Sequence, residues 1–158
     1  MNSHTIDINE ILTIQANRFP MLLIDRVTSV EAGHSAVCEK NFTYNEWFFP
    51  NHYPDDPNVP GFVLIESLVQ SFLMTFLTLD EYKGSRTNFL DISDAKFRRK
   101  VVPGDKLRIC STLSSFKRGV ARGRSDGFIG DEFACSGEFL VCIPEVMTVY
   151  RPQKNETQ

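Results

Sequence analysis

His52 and Glu66, fourteen residues apart, are the two side chains in this sequence best suited to acid–base chemistry. Imidazole changes charge near neutrality, so it can accept a proton at physiological pH and release it again. The chain between them reads Tyr53-Pro54-Asp55-Asp56-Pro57-Asn58-Val59-Pro60-Gly61. Prolines at every third position fix φ and stiffen this backbone. Gly61 opens an apolar stretch, Phe62 to Leu79, whose only charged residue is Glu66. Apolar neighbours and a helix N-terminus pull a carboxyl group in opposite directions, so the sequence leaves the protonation state of Glu66 open. Structural roles compete with the chemical ones. His52 can be a loop histidine bonded to nearby backbone, Glu66 a cap on the first helical turn, and Gly61 a turn glycine. The prolines would also suit an SH3-like partner, except that they lie inside the domain.

These residues need elements to hold them. Phe62–Leu79 reads as one long helix, with twelve apolar residues among its eighteen. Glu66, Ser67, Gln70, Ser71, Thr75 and Thr78 interrupt it, which argues for a buried core helix rather than a membrane span. Ser67, Ser71 and Thr75 share a face at helical spacing, where small side chains allow close approach to a sheet. A short helix is expected over 6–16, with Ile8, Ile11, Leu12 and Ala16 apolar. Met21–Val30 and Ser35–Thr43 read as a hairpin turning at Ala32-Gly33. Further strands are expected at about 88–97, 106–116, 118–128 and 132–143. Turns are expected at 102–105, 117–119 and 127–131. One buried helix with five or six antiparallel strands is an α+β arrangement, the sheet wrapping a helix that has no polar face. A single domain over 1–150 and a frayed tail over 151–158 follow.

Composition narrows the function. The 158 residues suffice for one domain with a real core, and thirteen phenylalanines suggest an aromatic core or tunnel. A net charge of −3 argues against nucleic acid. The first ten residues lack the basic flank and apolar run of a secretory signal, so a cytoplasmic protein is expected. Cys38, Cys110, Cys135 and Cys142 have no C-x-x-C spacing and read as buried reduced thiols. His4, His34 and His52 are scattered, so no metal site is expected.

Four blocks together resemble the FabZ-type 3-hydroxyacyl-acyl carrier protein dehydratases, which have the hot-dog fold. They are Arg18-Phe19-Pro20 through Val27, Lys40-Asn41-Phe42-Thr43 through Phe49, His52-Tyr53-Pro54 through Gln70, and Lys96-Phe97-Arg98-Arg99-Lys100 through Leu107. They run in family order from about residue 8 to 143. The chain departs from the family pattern at Asn17, where histidine is usual. It departs again at Asn51 and Asp55, where glycine is usual, and at Tyr53, where phenylalanine is usual. Asn and Asp are the mildest replacements if those glycines hold positive φ.

The resemblance implies dehydration of 3-hydroxyacyl groups to trans-2-enoyl thioesters, in fatty-acid or in polyketide or polyene biosynthesis. It makes His52 the base and Glu66 the acid, and puts the Gly61 N–H on the thioester carbonyl. Gln70 supports Glu66, and Tyr53 adds a hydroxyl near the site. No cofactor is implied beyond the 4'-phosphopantetheine arm of the acyl carrier protein that bears the substrate. Arg98, Arg99 and Lys100 are a candidate docking patch for that acidic carrier, or simply a solvated strand end. At least a homodimer is expected, with His52 and Glu66 of one site drawn from different subunits. A trimer of dimers or a heteromer with a related subunit would extend it. A hot-dog thioesterase and a non-catalytic carrier-binding subunit are the alternatives.

Overall fold

The computed structural model describes residues 5–149. The expected tail over 151–158 lies outside them. Six strands form one antiparallel sheet: β1 (Arg26–Glu31), β2 (Ser35–Asn41), β3 (Asn88–Phe97), β4 (Lys106–Lys117), β5 (Val120–Ile129) and β6 (Glu132–Cys142), in the order β1-β2-β4-β5-β6-β3. Against it lies α2 (Gly61–Leu77), preceded in the chain by the short α1 (Ile8–Ile14) and followed at the C-terminal end by α3 (Pro144–Val149).

Helix α2 is buried from Val63 onward except at Ile65 and Glu66, as a helix apolar on nearly every side must be. Among the described residues no helix is long and apolar enough to cross a membrane. The small-residue face does meet the sheet. The Ser71 and Ser111 hydroxyls lie 2.8 Å apart, Ser111 and Ser125 lie 2.8 Å apart, and Ser125 donates to the Leu68 carbonyl at 2.9 Å. Gly123 of β5 faces Phe72 so closely that any Cβ there would collide with the ring and with the Thr112 carbonyl. The sheet therefore wraps a dry, hydroxyl-laced helix face.

Several boundaries differ from expectation. Residues 21–25 are not strand, because the Gln70 side chain takes the Leu23 N–H and the Met21 carbonyl that a ladder would otherwise use. The helix expected over 6–16 is shorter: α1 is capped by Asp7 and ends at Ile14, its buried positions are Ile11 and Ile14, and Ile8 and, past the helix, Ala16 are exposed. The expected turn over 127–131 shrinks to Gly130-Asp131, and Gly127 lies inside β5. A Cβ at Gly127 would meet Cys135 Sγ at 2.8 Å, so this glycine marks a close approach between strands rather than a turn. At 118–119 the expectation holds: Arg118 and Gly119 both have positive φ, the pairing a tight two-residue hairpin needs. All four cysteines are free, though Cys110 is only half-buried. Burial pushes the Cys38 thiol up to about 12, with the Ser71 hydroxyl offsetting part of the effect. Burial likewise pushes Cys135 to about 12, helped by Asp126.

One feature of the sheet bears on assembly. Strand β3 is an edge, and Phe89, Leu90, Ile92 and Phe97 along it are all exposed.

Candidate active site

His52 closes a short 3₁₀ turn, Phe49–Asn51, packed on the buried aromatic rings of Phe42, Phe48 and Phe49. Behind that turn the buried Lys40 donates to Glu46 Oε1 at 2.6 Å and to the Asn41 carbonyl at 3.0 Å, fixing where the loop begins. The His52 N–H donates to the Phe48 carbonyl at 2.9 Å. Its Nδ1 lies 3.0 Å from the Asn58 carbonyl. A carbonyl only accepts, so Nδ1 must carry the proton, and in the neutral ring Nε2 keeps its lone pair. The competing reading, a histidine bonded to local backbone, therefore describes the same contact that readies the ring as a base. The loop's reach is set where the Val59 N–H meets the Val101 carbonyl at 2.7 Å.

The loop's left-handed residue is Tyr53, at φ 54°, not Asn51 or Asp55. Asn51 sits in the 3₁₀ turn and donates from Nδ2 to the Trp47 carbonyl at 3.1 Å. The positive-φ explanation for those two replacements therefore fails, and the bend falls between them. Tyr53 stands over His52 with ring centroids 4.3 Å apart.

Gly61 is the first residue of α2, and Pro60 before it has no side chain to cap the helix N-terminus. Phe97 covers the glycine, its ring 3.5 Å from where a Cβ would stand. Gly61, Asn58, Leu64 and Phe97 line a cavity of about 360 Å³ with the basic run at 98–100. That run is less basic in effect than in sequence. Arg99 pairs with Asp105 at 2.7 Å and Glu132 at 2.8 Å, and Lys100 pairs with Asp56 of the His52 loop. Arg98 has no acidic partner among the described residues, which leaves it as the available cation at this cavity.

Glu66 faces elsewhere. It is half-buried and accepts from Gln70 Nε2 at 2.8 Å. Gln70 is fully buried, and Gln15 holds its backbone carbonyl at 2.6 Å. Glu66 opens on a cavity of about 420 Å³ floored by Val69, Leu73 and Leu77 and rimmed by Asn17, Arg86 and Asn88. Within one chain, then, Gly61 and the carbonyl that holds His52 line one cavity, and Glu66 lines another. Asn58, Asn17, Gln15 and Arg86 were not legible as site residues. No periodicity marks them, and only the fold brings them to these positions.

Comparison with known proteins agrees with the resemblance. The FabA-like domain matches residues 15–138. A 3-hydroxyacyl-[acyl-carrier-protein] dehydratase FabZ from Moorella thermoacetica is 41% identical over 140 residues, covering 89% of this chain and 98% of that protein. One from Clostridium botulinum strain Kyoto is 42% identical, covering 87% and 96%. Among solved structures, the dehydratase heterocomplex ApeI:P from Xenorhabdus doucetiae superposes with a TM-score of 0.74 at 14% identity, covering 89% of this chain and 97% of that one. An HP0420 homologue from Helicobacter felis gives 0.63 at 13%, covering 85% and 98%. The two structures share the hot-dog fold with this chain. With the sequence likeness running nearly end to end, the chain belongs to the FabA-like family, alongside the FabZ dehydratases.

Proposed function

We propose that this chain dehydrates 3-hydroxyacyl thioesters borne on acyl carrier protein, with His52 and Glu66 as base and acid. The observation that carries this reading is the His52 Nδ1–Asn58 contact, which leaves Nε2 as the free base. Nε2 removes the C2 proton, and the electrons move toward the thioester oxygen. The Gly61 N–H, at the positive end of α2, supports that developing charge. The C2=C3 bond then forms as the C3–O bond breaks, and Glu66 supplies the proton that lets hydroxide leave as water. Gln70, fixed by the backbone at Met21 and Leu23, aims Glu66.

Because Asn58, which holds the base, and Gly61 line one cavity of the chain while the acid Glu66 lines another, a complete site takes both from two chains. The exposed apolar edge of β3 is the seam that fits. Arg98 is the cation best placed to meet an acidic carrier or the phosphate of its prosthetic arm. A cytoplasmic location suits such a soluble carrier.

Incubating the purified chain with a 3-hydroxyacyl carrier-protein thioester and following mass tests the reading. Loss of water from the acyl group is expected, with no metal or nicotinamide added. Release of free acid would mean a thioesterase, and no reaction from a folded dimer would mean a non-catalytic carrier-binding subunit.

A further inference from the structure

Lys40 follows Ala36 and Cys38 in the buried alternation of β2, and like them it is buried. An apolar side chain would fill that place without the cost of stripping water from a charge. Instead the ammonium stands over the Phe42 ring at 5.5 Å, donates to Glu46 Oε1 at 2.6 Å and donates to the Asn41 carbonyl at 3.0 Å. Asp25 Oδ2 lies 3.5 Å from it and also accepts from the Asn41 N–H at 2.7 Å. The cation is thus fixed to β2 and to the residue preceding β1. It gives its shortest bond to the turn that leads to His52.

That bond ties the turn to the sheet. From Thr43 to His52 the backbone bonds are local: the Glu46 N–H to Thr43, the Phe49 N–H to Glu46, and the His52 N–H to Phe48. They shape the turn and leave its distance from the sheet open. The buried Phe48 and Phe49 hold it by packing, which has no direction. Among the described residues, Lys40–Glu46 is the one hydrogen bond from residues 43–52 to a strand. On the other side Asn58 has an anchor of its own, since Val59 next to it donates to the Val101 carbonyl. The His52 Nδ1–Asn58 contact at 3.0 Å therefore bridges two segments that are separately moored.

We infer that the buried Lys40–Glu46 pair sets where the His52 imidazole stands, which makes both of them positioning residues for the base. A buried ion pair is a weak source of stability, and its use lies in specifying one arrangement over its neighbours. Here the arrangement is the distance between the His52 turn and the sheet. The role of His52 as base rests on the dehydratase reading, whereas the placement of its ring does not.

Two variants separate positioning from stability. Glu46→Gln keeps the size of the side chain and an acceptor oxygen but removes the charge. Lys40→Met combined with Glu46→Leu replaces the ion pair by apolar groups, an exchange that often leaves stability equal or higher. Each is expected to lower kcat for dehydration about tenfold, less than a misplacement of about 1 Å can cost, with KM little changed. The isotope effect on a C2-deuterated substrate should rise, because proton removal becomes slower relative to the other steps. By NMR of the folded chain, the His52 Nδ1–H should exchange with solvent faster than in the parent. A loss of stability alone moves neither reading well below the unfolding temperature.

Parent-like Nδ1–H exchange in Glu46→Gln would overturn the inference, and so would a normal kcat in the folded apolar double variant. If the double variant does not fold, Glu46→Gln decides. If the parent chain dehydrates nothing, the dehydratase reading falls and the exchange measurement still decides. Faster exchange in Glu46→Gln then sustains the positioning role, and unchanged exchange overturns it.

Discussion

Gln70 and Glu66 lie one helical turn apart, and a single nitrogen, Gln70 Nε2, bonds both the Glu66 carboxyl at 2.8 Å and the Met21 carbonyl at 2.6 Å. The orientation of the acid is thus tied to the segment entering the sheet. Replacing Gln70 by Leu keeps the volume but orphans the Met21 carbonyl and the Leu23 N–H. A loss of about 3 kcal/mol is expected in urea unfolding at fixed protein concentration, from two unpaired buried groups. Turnover should fall as well, while KM changes little.

Removing either chemical group should slow the reaction without unfolding the chain. His52→Ala and Glu66→Gln are each expected to lower dehydration by about 10²–10⁴-fold, the usual contribution of a general acid or base. Circular dichroism should match that of the parent. Near-normal rates in both variants would rule out the mechanism.

A divided site makes a sharper claim. Mixed dimers of His52→Ala with Glu66→Gln contain one intact pair and should recover part of the activity that neither variant has alone. Verified mixed dimers with no recovery would place both groups in one subunit.

Buried thiols make stability depend on alkaline pH. Cys38 and Cys135 keep their protons in the folded state up to about pH 12, whereas in the unfolded chain they lose them near the ordinary 9.0. Between those values the unfolded state binds fewer protons, so stability falls as pH rises and is unaffected by these thiols below pH 9. Each thiol should contribute a slope of about 1.4 kcal/mol per pH unit there. Unfolding free energies of Cys38→Ala and Cys135→Ala between pH 9 and 11 should show the slope reduced in each.

Packing between helix and sheet leaves no slack at Gly123. Gly123→Ala is expected to cost about 3 kcal/mol, at the upper end of overpacking penalties, since the new methyl group meets both the Phe72 ring and the Thr112 carbonyl. A thermal shift of less than a degree would show that β5 moves more freely than its neighbours allow.

The long helix was legible because its apolar residues cover nearly every side, a pattern only a wrapped helix satisfies. Strands β4, β5 and β6 were legible from their turns. What escaped was tertiary. Met21–Asp25 is as apolar as a strand, yet Gln70, forty-seven residues from Leu23, takes its hydrogen bonds. Gly127 looks like turn chemistry and serves a strand contact instead. In the site, the spacing of His52 and Glu66 marked both residues, but spacing carries no information about the cavity on which Glu66 opens or the carbonyl that holds His52. Asn58 could not be found at all, because its backbone carbonyl, not its side chain, holds the imidazole.

In the proposed dimer, strand β3 would also set how far self-association can go. Its register with β6 shifts between Phe89 and Asp91 and again beyond Ser93, where Asp94 has φ 48° and its carboxylate is held by Lys96 and Arg124. A bent, charged end does not template another strand well. In the proposed dimer this edge would therefore pair with one partner more readily than it would extend into a continuous sheet. Asp94→Asn, which removes that charge from the edge, is expected to raise the share of large species seen by light scattering.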